Sequence, residues 1–408
     1  MNLLLQSSIV NSSAEISISG SKSETNRLLL LQALYPNITL ENVSNSDDSE
    51  VMIKALSSNE STIDIHHAGT TMRFLTAYFS MQEGKEVILT GSSRMKERPI
   101  KILVDALRQI GAEIEYVENE GFPPLKIKGQ QLTQNKVTLP ANVSSQYISA
   151  LLLIASKLVN GLELTLEGKI TSIPYINMTL ALLNELSIAT SFENNKINVC
   201  HTEFVETSQI VTIESDWSSA SYFYSIIALS EVGTEITLSS YKKSSLQGDF
   251  ALVHIYEHLG VETVFDTNSI ILKKVTNKLK PIVCNLNSSP DIAQTIAVTC
   301  FGLGMGCDLV GLHTLKIKET DRLAALQNEL TKLGAEVFIT DDSLTLKPSS
   351  GINPNIVIKT YQDHRMAMAF APLALKTVII IEDAEVVSKS YPNFWTDLKS
   401  IGFNMEEK

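Results

Sequence analysis

The chain repeats itself at a period of roughly 73 residues, and such a repeat constrains the fold more strongly than any local pattern. Its clearest recurring feature is the end of an amphipathic helix that runs into a strand. This feature occurs as LRQIGAEIEY from Leu107, YEHLGVETVF from Tyr256 and LTKLGAEVFI from Leu330, and more weakly from Leu182 and Leu398. Glycine in these segments stands where the residue just beyond a helix needs positive φ, so a helix should end at each copy.

A second recurring feature is a polar turn that opens a helix apolar on all its sides. Its six copies are SKSETNRLLLLQAL from Ser21, AGTTMRFLTAYF from Ala68, VSSQYISALLLIA from Val143, DWSSASYFYSIIAL from Asp216, SPDIAQTIAVTCF from Ser289 and QDHRMAMAFAPLAL from Gln362. A helix of this kind is buried in the core of a protein. Short alternating segments such as EVILTG and SLTLKP lie between the helices and predict strands.

These features together predict an α/β (α+β) fold built from six units of strand, buried helix, strand, amphipathic helix and strand pair. A chain of 408 residues should form about two domains, which gives three units to each of two lobes. We place the first lobe at residues 14–213 and the second at residues 214–408, completed by residues 1–13. The first residues, MNLLLQSSIV, lack a basic region and predict an edge strand, not a signal peptide. Two chain crossings between the lobes would form a hinge.

The first buried helix opens with the pattern of an anion site. Ser21 and Glu24 have the spacing of a capping box, which predicts a helix start at Ser21 or Ser23. Lys22, Ser23 and Arg27 add donors within one turn of free backbone N–H groups.

Charged residues recur at the helix starts along the whole chain. They are Lys22, Arg27, Arg73, Arg94, Lys96, Arg98, Asp291, Lys318, Glu319, Asp321, Arg322, Asp363, Arg365 and Lys389. A cation at a helix N-terminus opposes the macrodipole, so stability does not explain the pattern and binding of phosphates and carboxylates does. The equivalent helix starts should converge on one surface of each lobe, forming a cleft. Asp291 and Glu319 lie best among the cations for proton transfer, although helix capping alone would also favour acids there.

Composition limits the other partners. A net charge of −12 without a basic tract argues against nucleic acid and anionic membranes. The most apolar run, Ile148 to Ile154, is much shorter than the roughly 20 residues that span a bilayer. Four cysteines without a CxxC pair suit a reducing cytoplasm, with Cys300 and Cys307 as core residues. No histidine has metal-ligand spacing with acids or cysteines, so no metal is expected.

Ten segments between residues 20 and 394 resemble the signature segments of the 5-enolpyruvylshikimate-3-phosphate (EPSP) synthase family. They are GSKSETNR, AGTTMR, GSSRMKERPI, VSSQY, SIPYINMT, LQGD, PDIAQT, KIKETDRL, YQDHRMAMAF and KSYPNF, in that order. The resemblance covers essentially the whole chain. It implies two lobes, each of three βαβαββ units arranged as an inside-out α/β barrel, in agreement with the repeat pattern.

The resemblance also implies an activity. The chain would transfer the enolpyruvyl group of phosphoenolpyruvate to the 5-hydroxyl of shikimate 3-phosphate, in aromatic amino acid biosynthesis, as a cytoplasmic monomer without a cofactor. The implied catalytic residues are Asp291, Glu319 and Lys22. The implied ligands of shikimate 3-phosphate are Lys22, Ser23, Arg27, Ser144, Ser145, Gln146, Ser172, Asp291 and Lys318. Those of phosphoenolpyruvate are Lys22, Gly69, Arg94, Gln146, Arg322, Arg365 and Lys389.

Three other functions remain open at this stage. An enolpyruvyl transferase acting on UDP-N-acetylglucosamine would share the fold, but its active-site loop usually carries a cysteine that GSSRMKERPI lacks. A phosphate-binding kinase is suggested by GSKS, yet the GxxxxGK[ST] pattern is absent from the sequence. A non-catalytic anion-binding repeat protein is the third, because fold alone proves no activity.

The sequence departs from the family pattern at Thr314. This residue occupies what looks like the position of an asparagine that binds the substrate phosphate in the family.

Overall fold

The structure, a computed structural model, describes residues 1–142, 144–168, 170, 173–203 and 209–408. The strands, in chain order, are β1 (Leu3–Leu5), β2 (Ser13–Ile16), β3 (Ile38–Glu41), β4 (Thr62–Asp64), β5 (Glu86–Thr90), β6 (Glu113–Tyr116), β7 (Leu125–Lys128), β8 (Lys136–Pro140), β9 (Leu162–Glu167), β10 (Thr190–Glu193), β11 (Lys196–Val199), β12 (Gln209–Thr212), β13 (Glu235–Ser239), β14 (Val261–Phe265), β15 (Ser269–Lys274), β16 (Ile282–Asn285), β17 (Cys307–Val310), β18 (Val337–Ile339), β19 (Ser343–Leu346), β20 (Ile356–Ile358), β21 (Ile379–Ile381) and β22 (Met405–Glu407).

The α-helices alternate with these strands. They are α1 (Lys22–Leu34), α2 (Asp47–Ser57), α3 (Gly69–Ser80), α4 (Ser93–Lys96), α5 (Lys101–Gln109), α6 (Ser145–Ala155), α7 (Ile173–Glu185), α8 (Trp217–Leu229), α9 (Leu252–Glu257), α10 (Ala293–Gly302), α11 (Arg322–Lys332), α12 (His364–Phe370) and α13 (Phe394–Ser400). Short 3-10 helices span Gly248–Ala251, Pro290–Ile292, His313–Ile317, Ala371–Leu375 and Ala384–Lys389.

The chain divides into two compact units. One unit comprises Met1–Gly20 and Glu214–Lys408, and the other comprises Ser21–Ile213. Residues 14–20, which the sequence pattern placed with the residues up to 213, therefore belong to the unit that contains the C-terminus. The reason is a parallel ladder between β2 and β13, which pairs Ser13 with Glu235 and Ile16 with Leu238.

Four of the six repeats each form a four-stranded mixed sheet, and the strand order is the same in all four. In the second repeat β4 and β5 are parallel, and the hairpin of β6 and β7 then adds to β5 through β7, giving the order β4-β5-β7-β6. The same arrangement recurs as β8-β9-β11-β10, β2-β13-β15-β14 and β16-β17-β19-β18. The predicted α/β class with its βαβαββ units is confirmed.

Strands are exchanged where the chain passes from one unit to the other. β2 precedes α1 in the sequence but pairs with β13, whereas β12 precedes α8 but pairs in parallel with β3. β1 completes the last repeat, since it lies between β21 and β22 and is antiparallel to both. The prediction of an edge strand at the N-terminus was therefore wrong, because the sixth repeat lacks a hairpin strand of its own and β1 takes that place.

Both recurring sequence features have the predicted structure. The apolar helices α1, α3, α6, α8, α10 and α12 are largely buried, each inside one of two separate hydrophobic cores. Positive φ occurs at every predicted helix end, at Gly111 (105°), Gly260 (78°), Gly334 (99°) and Gly402 (112°). The weak copy from Leu182 has Ser187 at this position, and Ser187 also has a φ of 63°. The repeated fold thus imposes the left-handed turn even where glycine is absent.

Three other sequence-based expectations have different outcomes. Helix α1 starts at Lys22 with Ser21, one of the two predicted starts, as its N-cap residue, but the Ser21 side chain makes no capping hydrogen bond. Cys300 and Cys307 are buried, as expected of small core residues. Within the described residues, no helix combines the length and the apolar character needed to cross a membrane.

Candidate active site

A cluster of acidic and basic side chains gathers at the starts of three helices in the last two repeats of the C-terminal unit. Asp291 lies in the 3-10 helix that leads into α10, and Arg322 is the first residue of α11. Asp363 caps α12, where its carboxylate accepts a hydrogen bond from the backbone N–H of Arg365 at 2.9 Å. Because the repeats place equivalent helix starts at the same end, residues 291, 322 and 363 meet despite their distance in sequence.

Arg322 is the centre of this cluster. Its guanidinium donates to Asp363 at 2.6 Å, to Asp291 at 2.8 Å and to Glu319 at 2.8 Å. The side chains of Arg322 and Asp363 are 2% and 0% exposed, so their pair is fully buried. Burial acts to lower the pKa of Arg322, but the carboxylates of Asp363, Glu319 and Asp291 outweigh it and raise that pKa above its ordinary value.

Asp291 is surrounded by three cations. Besides Arg322, the Lys318 ammonium lies 3.3 Å from Asp291 Oδ1 and the Arg365 guanidinium 3.3 Å from Oδ2. Burial acts to raise the pKa of Asp291, yet Arg365, Lys318 and Arg322 together hold it well below its usual value. Asp291 is therefore a carboxylate at neutral pH, with lone pairs already directed at cations.

Asp249 extends the cluster behind Arg365. It lies in the 3-10 helix before α9, is 5% exposed, and accepts a hydrogen bond from the Ser218 hydroxyl. The Ser218 oxygen in turn accepts a hydrogen bond from Arg365 Nη2 at 3.2 Å. Burial and the negative charge of Asp291 raise the pKa of Asp249 to about 7. Sequence reasoning did not select Asp249 or Ser218 as site residues, although they lie in two segments quoted above, LQGD and DWSSASYFYSIIAL.

Lys389 lies beside the turn that precedes α12. Its ammonium donates to the carbonyl of Gln362 at 2.9 Å, and Tyr361 and Gln362 both have positive φ, of 54° and 57°. The turn is tied to α11 by the buried carboxylate of Glu329, which accepts hydrogen bonds from the Tyr361 hydroxyl at 2.7 Å and the Lys359 N–H at 3.1 Å.

The structure brings together five of the predicted residues of this unit, Asp291, Lys318, Glu319, Arg322 and Arg365. The sixth, Lys389, lies beside the turn just before Asp363.

In the other unit, Arg27 is a buried arginine whose hydrogen bonds to the described residues all go to neutral oxygens. It donates to Thr179 Oγ1 at 2.8 Å, to Ser149 Oγ at 3.0 Å and to the Ser23 carbonyl at 2.6 Å. Its guanidinium also lies 5.5 Å from the centre of the Phe74 ring. Burial lowers the pKa of Arg27 to about 10. Neutral hydrogen-bond partners do not compensate the charge of a buried cation, so such a cation attracts an anion strongly.

The remaining predicted residues of this unit lie at the starts of α1 and α6. Lys22 is 3.8 Å from the carboxylate of Asp48, a partner that the sequence did not indicate. The Ser144 hydroxyl caps α6 by accepting a hydrogen bond from the N–H of Gln146, whose side chain donates to Thr70 Oγ1 at 3.1 Å. Ser145 is the buried first residue of α6. Ser172, also predicted as a ligand, lies outside the described residues.

Gly69 begins α3, and the arginine packed against it is not the predicted one. A Cβ atom at Gly69 would lie 2.5 Å from Nη1 of Arg98, so any other residue there would require that guanidinium to move. Arg94 instead points to solvent, with a side chain 69% exposed and paired with Glu97 at 2.7 Å. Arg73 is buried beneath, donating to the Gly69 carbonyl at 3.0 Å. Sequence spacing could not separate Arg94 from Arg98 because the two are only four residues apart, Arg94 in α4 and Arg98 just after it.

The arrangement can bind anions in each unit and can exchange protons in one of them. Thr314, in the 3-10 helix before Lys318, has a buried hydroxyl without a hydrogen-bond partner in the described ranges. Within those same ranges, no three His, Cys, Asp or Glu residues are grouped to hold a metal ion. The guanidinium, ammonium and carboxylate groups of the site allow charge stabilisation and proton transfer at anionic substrates.

Comparison with known proteins gives consistent results. Residues 56–398 match the family model of EPSP synthase (3-phosphoshikimate 1-carboxyvinyltransferase). A 3-phosphoshikimate 1-carboxyvinyltransferase of Bacteroides fragilis is 46% identical over 397 residues, which cover 96% of both chains. The Vibrio atlanticus protein of the same name is 36% identical, covering 95% of this chain and 97% of its own.

Solved structures agree on the fold. EPSP synthase from Acinetobacter baumannii superimposes with a TM-score of 0.83 at 21% identity, covering 99% of both chains. The enolpyruvyl transferase NikO from Streptomyces tendae superimposes with a TM-score of 0.72 at 14% identity, covering 100% of this chain and 98% of its own.

Proposed function

The chain belongs to the EPSP synthase family, and from this premise we propose that it transfers the enolpyruvyl group of phosphoenolpyruvate to the 5-hydroxyl of shikimate 3-phosphate and releases phosphate. The observation that carries the proposal is the 46% identity to a 3-phosphoshikimate 1-carboxyvinyltransferase over 96% of both chains. The buried clusters of arginine and lysine support it, because the two substrates bring phosphates and carboxylates that need such partners.

We propose the following binding residues. Shikimate 3-phosphate would be bound by Lys22, Ser23, Arg27, Ser144, Ser145, Gln146 and Ser172 of one unit and by Asp291 and Lys318 of the other. Phosphoenolpyruvate would be bound by Lys22, Gly69, Arg94, Gln146, Arg322, Arg365 and Lys389. The assignment of Arg27 is supported by its burial among neutral oxygens, and that of Arg365 and Lys318 by their position around one carboxylate. The assignment of Arg94 requires its exposed side chain to leave Glu97.

The proposed reaction is an addition followed by an elimination. The 5-hydroxyl oxygen bonds to C2 of phosphoenolpyruvate and gives its proton to Asp291, while C3 of phosphoenolpyruvate gains a proton from Glu319, which takes up that proton once the substrates are bound. Glu319 then removes a proton from C3 as the bond between C2 and the phosphate oxygen breaks, and Asp291 passes its proton to the leaving phosphate. These steps restore the double bond and release phosphate, so that no redox partner is needed. Lys22 is the third group proposed to take part.

The charges around Asp291 explain how one carboxylate can both stay ionised and accept a proton. Without substrates, Arg365, Lys318 and Arg322 hold its pKa well below the usual value, which makes it a weak base. Substrate phosphates and carboxylates at the same cations would offset their charge. The pKa of Asp291 should then rise toward that of an ordinary carboxyl group, and the residue becomes a better base only when the site is filled.

A phosphate-release assay tests the proposal. We expect phosphate only when phosphoenolpyruvate and shikimate 3-phosphate are both present. Release with UDP-N-acetylglucosamine in place of shikimate 3-phosphate would indicate the other enolpyruvyl transferase activity. Tight binding of both substrates without release would identify a non-catalytic binding protein.

We also propose that the protein is a cytoplasmic monomer. The compartment is supported by the four cysteines, which are all free, as a reducing compartment would keep them. Light scattering should give a mass near 44.9 kDa. A mass of twice that value would contradict the monomer, and recovery of the native protein outside the cytoplasmic fraction would contradict the compartment.

A further inference from the structure

Asp249 is a buried carboxyl group that the proposed reaction does not use. Its Oδ2 accepts the hydrogen bond of Ser218, while its buried Oδ1 has no hydrogen-bond partner among the described residues. Ser218 bridges Asp249 to Arg365, and the same Arg365 nitrogen lies 3.3 Å from Asp291. One guanidinium is therefore linked to two carboxyl groups, directly to Asp291 and through Ser218 to Asp249.

Among the charged groups of the described residues that face Asp249, only Arg365 is positive. Facing it are Arg365 from α12, Asp291 from the 3-10 helix before α10, and Asp216 at the start of α8. Of the titratable groups of the adjoining helix α9, His254 and Glu257 are exposed to solvent, and the buried Tyr256 hydroxyl shares a hydrogen bond with Thr299 Oγ1 at 2.9 Å. Burial and Asp291 raise the pKa of Asp249 to about 7, with Arg365 acting in the opposite direction.

The ion pairs of the cluster are matched without Asp249. Three cations, Arg322, Arg365 and Lys318, are paired with three carboxylates, those of Asp291, Glu319 and Asp363. Ionised Asp249 therefore adds one unmatched negative charge to a buried region. An anion that binds to Arg365 adds more negative charge beside it, and neighbouring like charges of low solvent exposure do not both stay ionised.

We propose that Asp249 takes up a proton from solvent when an anionic substrate binds to Arg365, and that Ser218 sets how readily it does so. The carboxylate becomes a carboxylic acid, and no bond of the substrate changes. Asp249 is thus a positioning residue, since it acts on the substrate through Arg365. The inference rests on the proposed function in taking phosphoenolpyruvate as that anion.

Linkage gives the expected pH dependence. At pH values above the pKa of free Asp249, the proton must be taken up together with the substrate, so affinity falls by up to about tenfold for each further pH unit. Binding is strongest where Asp249 already carries its proton. The KM for phosphoenolpyruvate should therefore rise from about pH 7 upward, while kcat stays nearly constant.

Calorimetry measures the proton directly. Wild-type protein is titrated with phosphoenolpyruvate at pH 8 in two buffers of different ionisation enthalpy. The difference between the two binding enthalpies gives the number of protons taken up. We expect uptake of a substantial fraction of a proton by the wild type and almost none by Asp249→Asn. Asp266→Asn, which removes an exposed carboxyl of the same unit, should behave as the wild type. Equal uptake by wild type and Asp249→Asn, or no binding of phosphoenolpyruvate at all, overturns the inference.

Steady-state kinetics gives a second, independent measurement. The rise of KM with pH should be absent in Asp249→Asn and unchanged in Asp266→Asn. In Ser218→Ala the carboxylate loses the hydrogen bond that favours its ionised form, so the pKa of Asp249 increases and the rise of KM should begin at higher pH. This variant keeps the buried carboxyl and serves if Asp249→Asn does not fold. An unchanged onset in Ser218→Ala contradicts the inference.

The two proposals fail in different ways. If the wild type releases phosphate from its two substrates but shows the same pH dependence as Asp249→Asn, the role of Asp249 is wrong and the proposed function stands. If proton uptake accompanies binding of phosphoenolpyruvate but no phosphate is ever released, the role of Asp249 stands and the proposed function is wrong.

Discussion

Replacing Arg322 by methionine tests whether the candidate site is held by one buried cation. The substitution leaves Asp363, which is 0% exposed, without the guanidinium 2.6 Å away. Removing one partner of a buried ion pair costs about 3–5 kcal/mol, because the other charge remains without a partner. Asp291 should suffer less, since Lys318 and Arg365 still face it. We therefore expect the free energy of unfolding to fall by about 3–5 kcal/mol, with most of the loss arising at Asp363.

The position of the tryptophans makes the assay specific to this unit. The chain contains two tryptophans, Trp217 and Trp395, and both belong to the unit that holds the cluster. Urea unfolding followed by tryptophan fluorescence therefore reports on that unit. Lys316→Met is a suitable control because it breaks an ion pair of the same 2.6 Å length with Asp341, whose side chain is 93% exposed. Exposed pairs contribute little, so this variant should unfold as the wild type does.

A double substitution identifies the cause of the loss. Asn at position 363 can still cap α12 but carries no charge, so Arg322→Met combined with Asp363→Asn removes the buried unpaired carboxylate. The double variant should be more stable than Arg322→Met alone, by about 1–3 kcal/mol. The reasoning fails if Arg322→Met is no less stable than Lys316→Met, or if the second substitution adds a further loss.

Three further outcomes follow from the charged groups already described. Arg27→Ala should weaken binding of shikimate 3-phosphate by about 10- to 150-fold, because a charge-assisted hydrogen bond contributes about 1.5–3 kcal/mol; an unchanged dissociation constant would remove Arg27 from the site. Asp291→Asn and Glu319→Gln should each lower kcat by about 10² to 10⁴, and unchanged kcat with raised KM would mean that they only bind. Burial lowers the pKa of Lys274 to about 8, so the unfolded chain binds more protons between about pH 8 and 10. Stability of the wild type relative to Lys274→Met should then rise over that interval in urea titrations, and a flat difference would contradict the buried ammonium.

The sequence by itself determined the features that depend on neighbouring residues or on a periodic apolar pattern. The six apolar helices and the helix ends with positive φ, including Gly111 and Gly334, could be predicted because burial periodicity and the conformational freedom of glycine act within a few residues. The repeat also predicted that distant helix starts carry the charged groups, and Asp291, Glu319 and Arg322 do meet. The resemblance to one family followed from motifs of the same local kind.

Only the tertiary structure decided which segments and side chains become partners. The pairing of β2 with β13 and of β12 with β3 is invisible in sequence, because many short apolar segments are compatible with any of these sheets. Likewise, the contact of Arg98 with Gly69 depends on the path of a short loop, and the chain from Asp249 through Ser218 to Arg365 depends on packing among three helix starts. Spacing in sequence fixes where a charge stands on its own helix, whereas its pKa and its partner depend on the groups that other elements bring within a few ångströms of it.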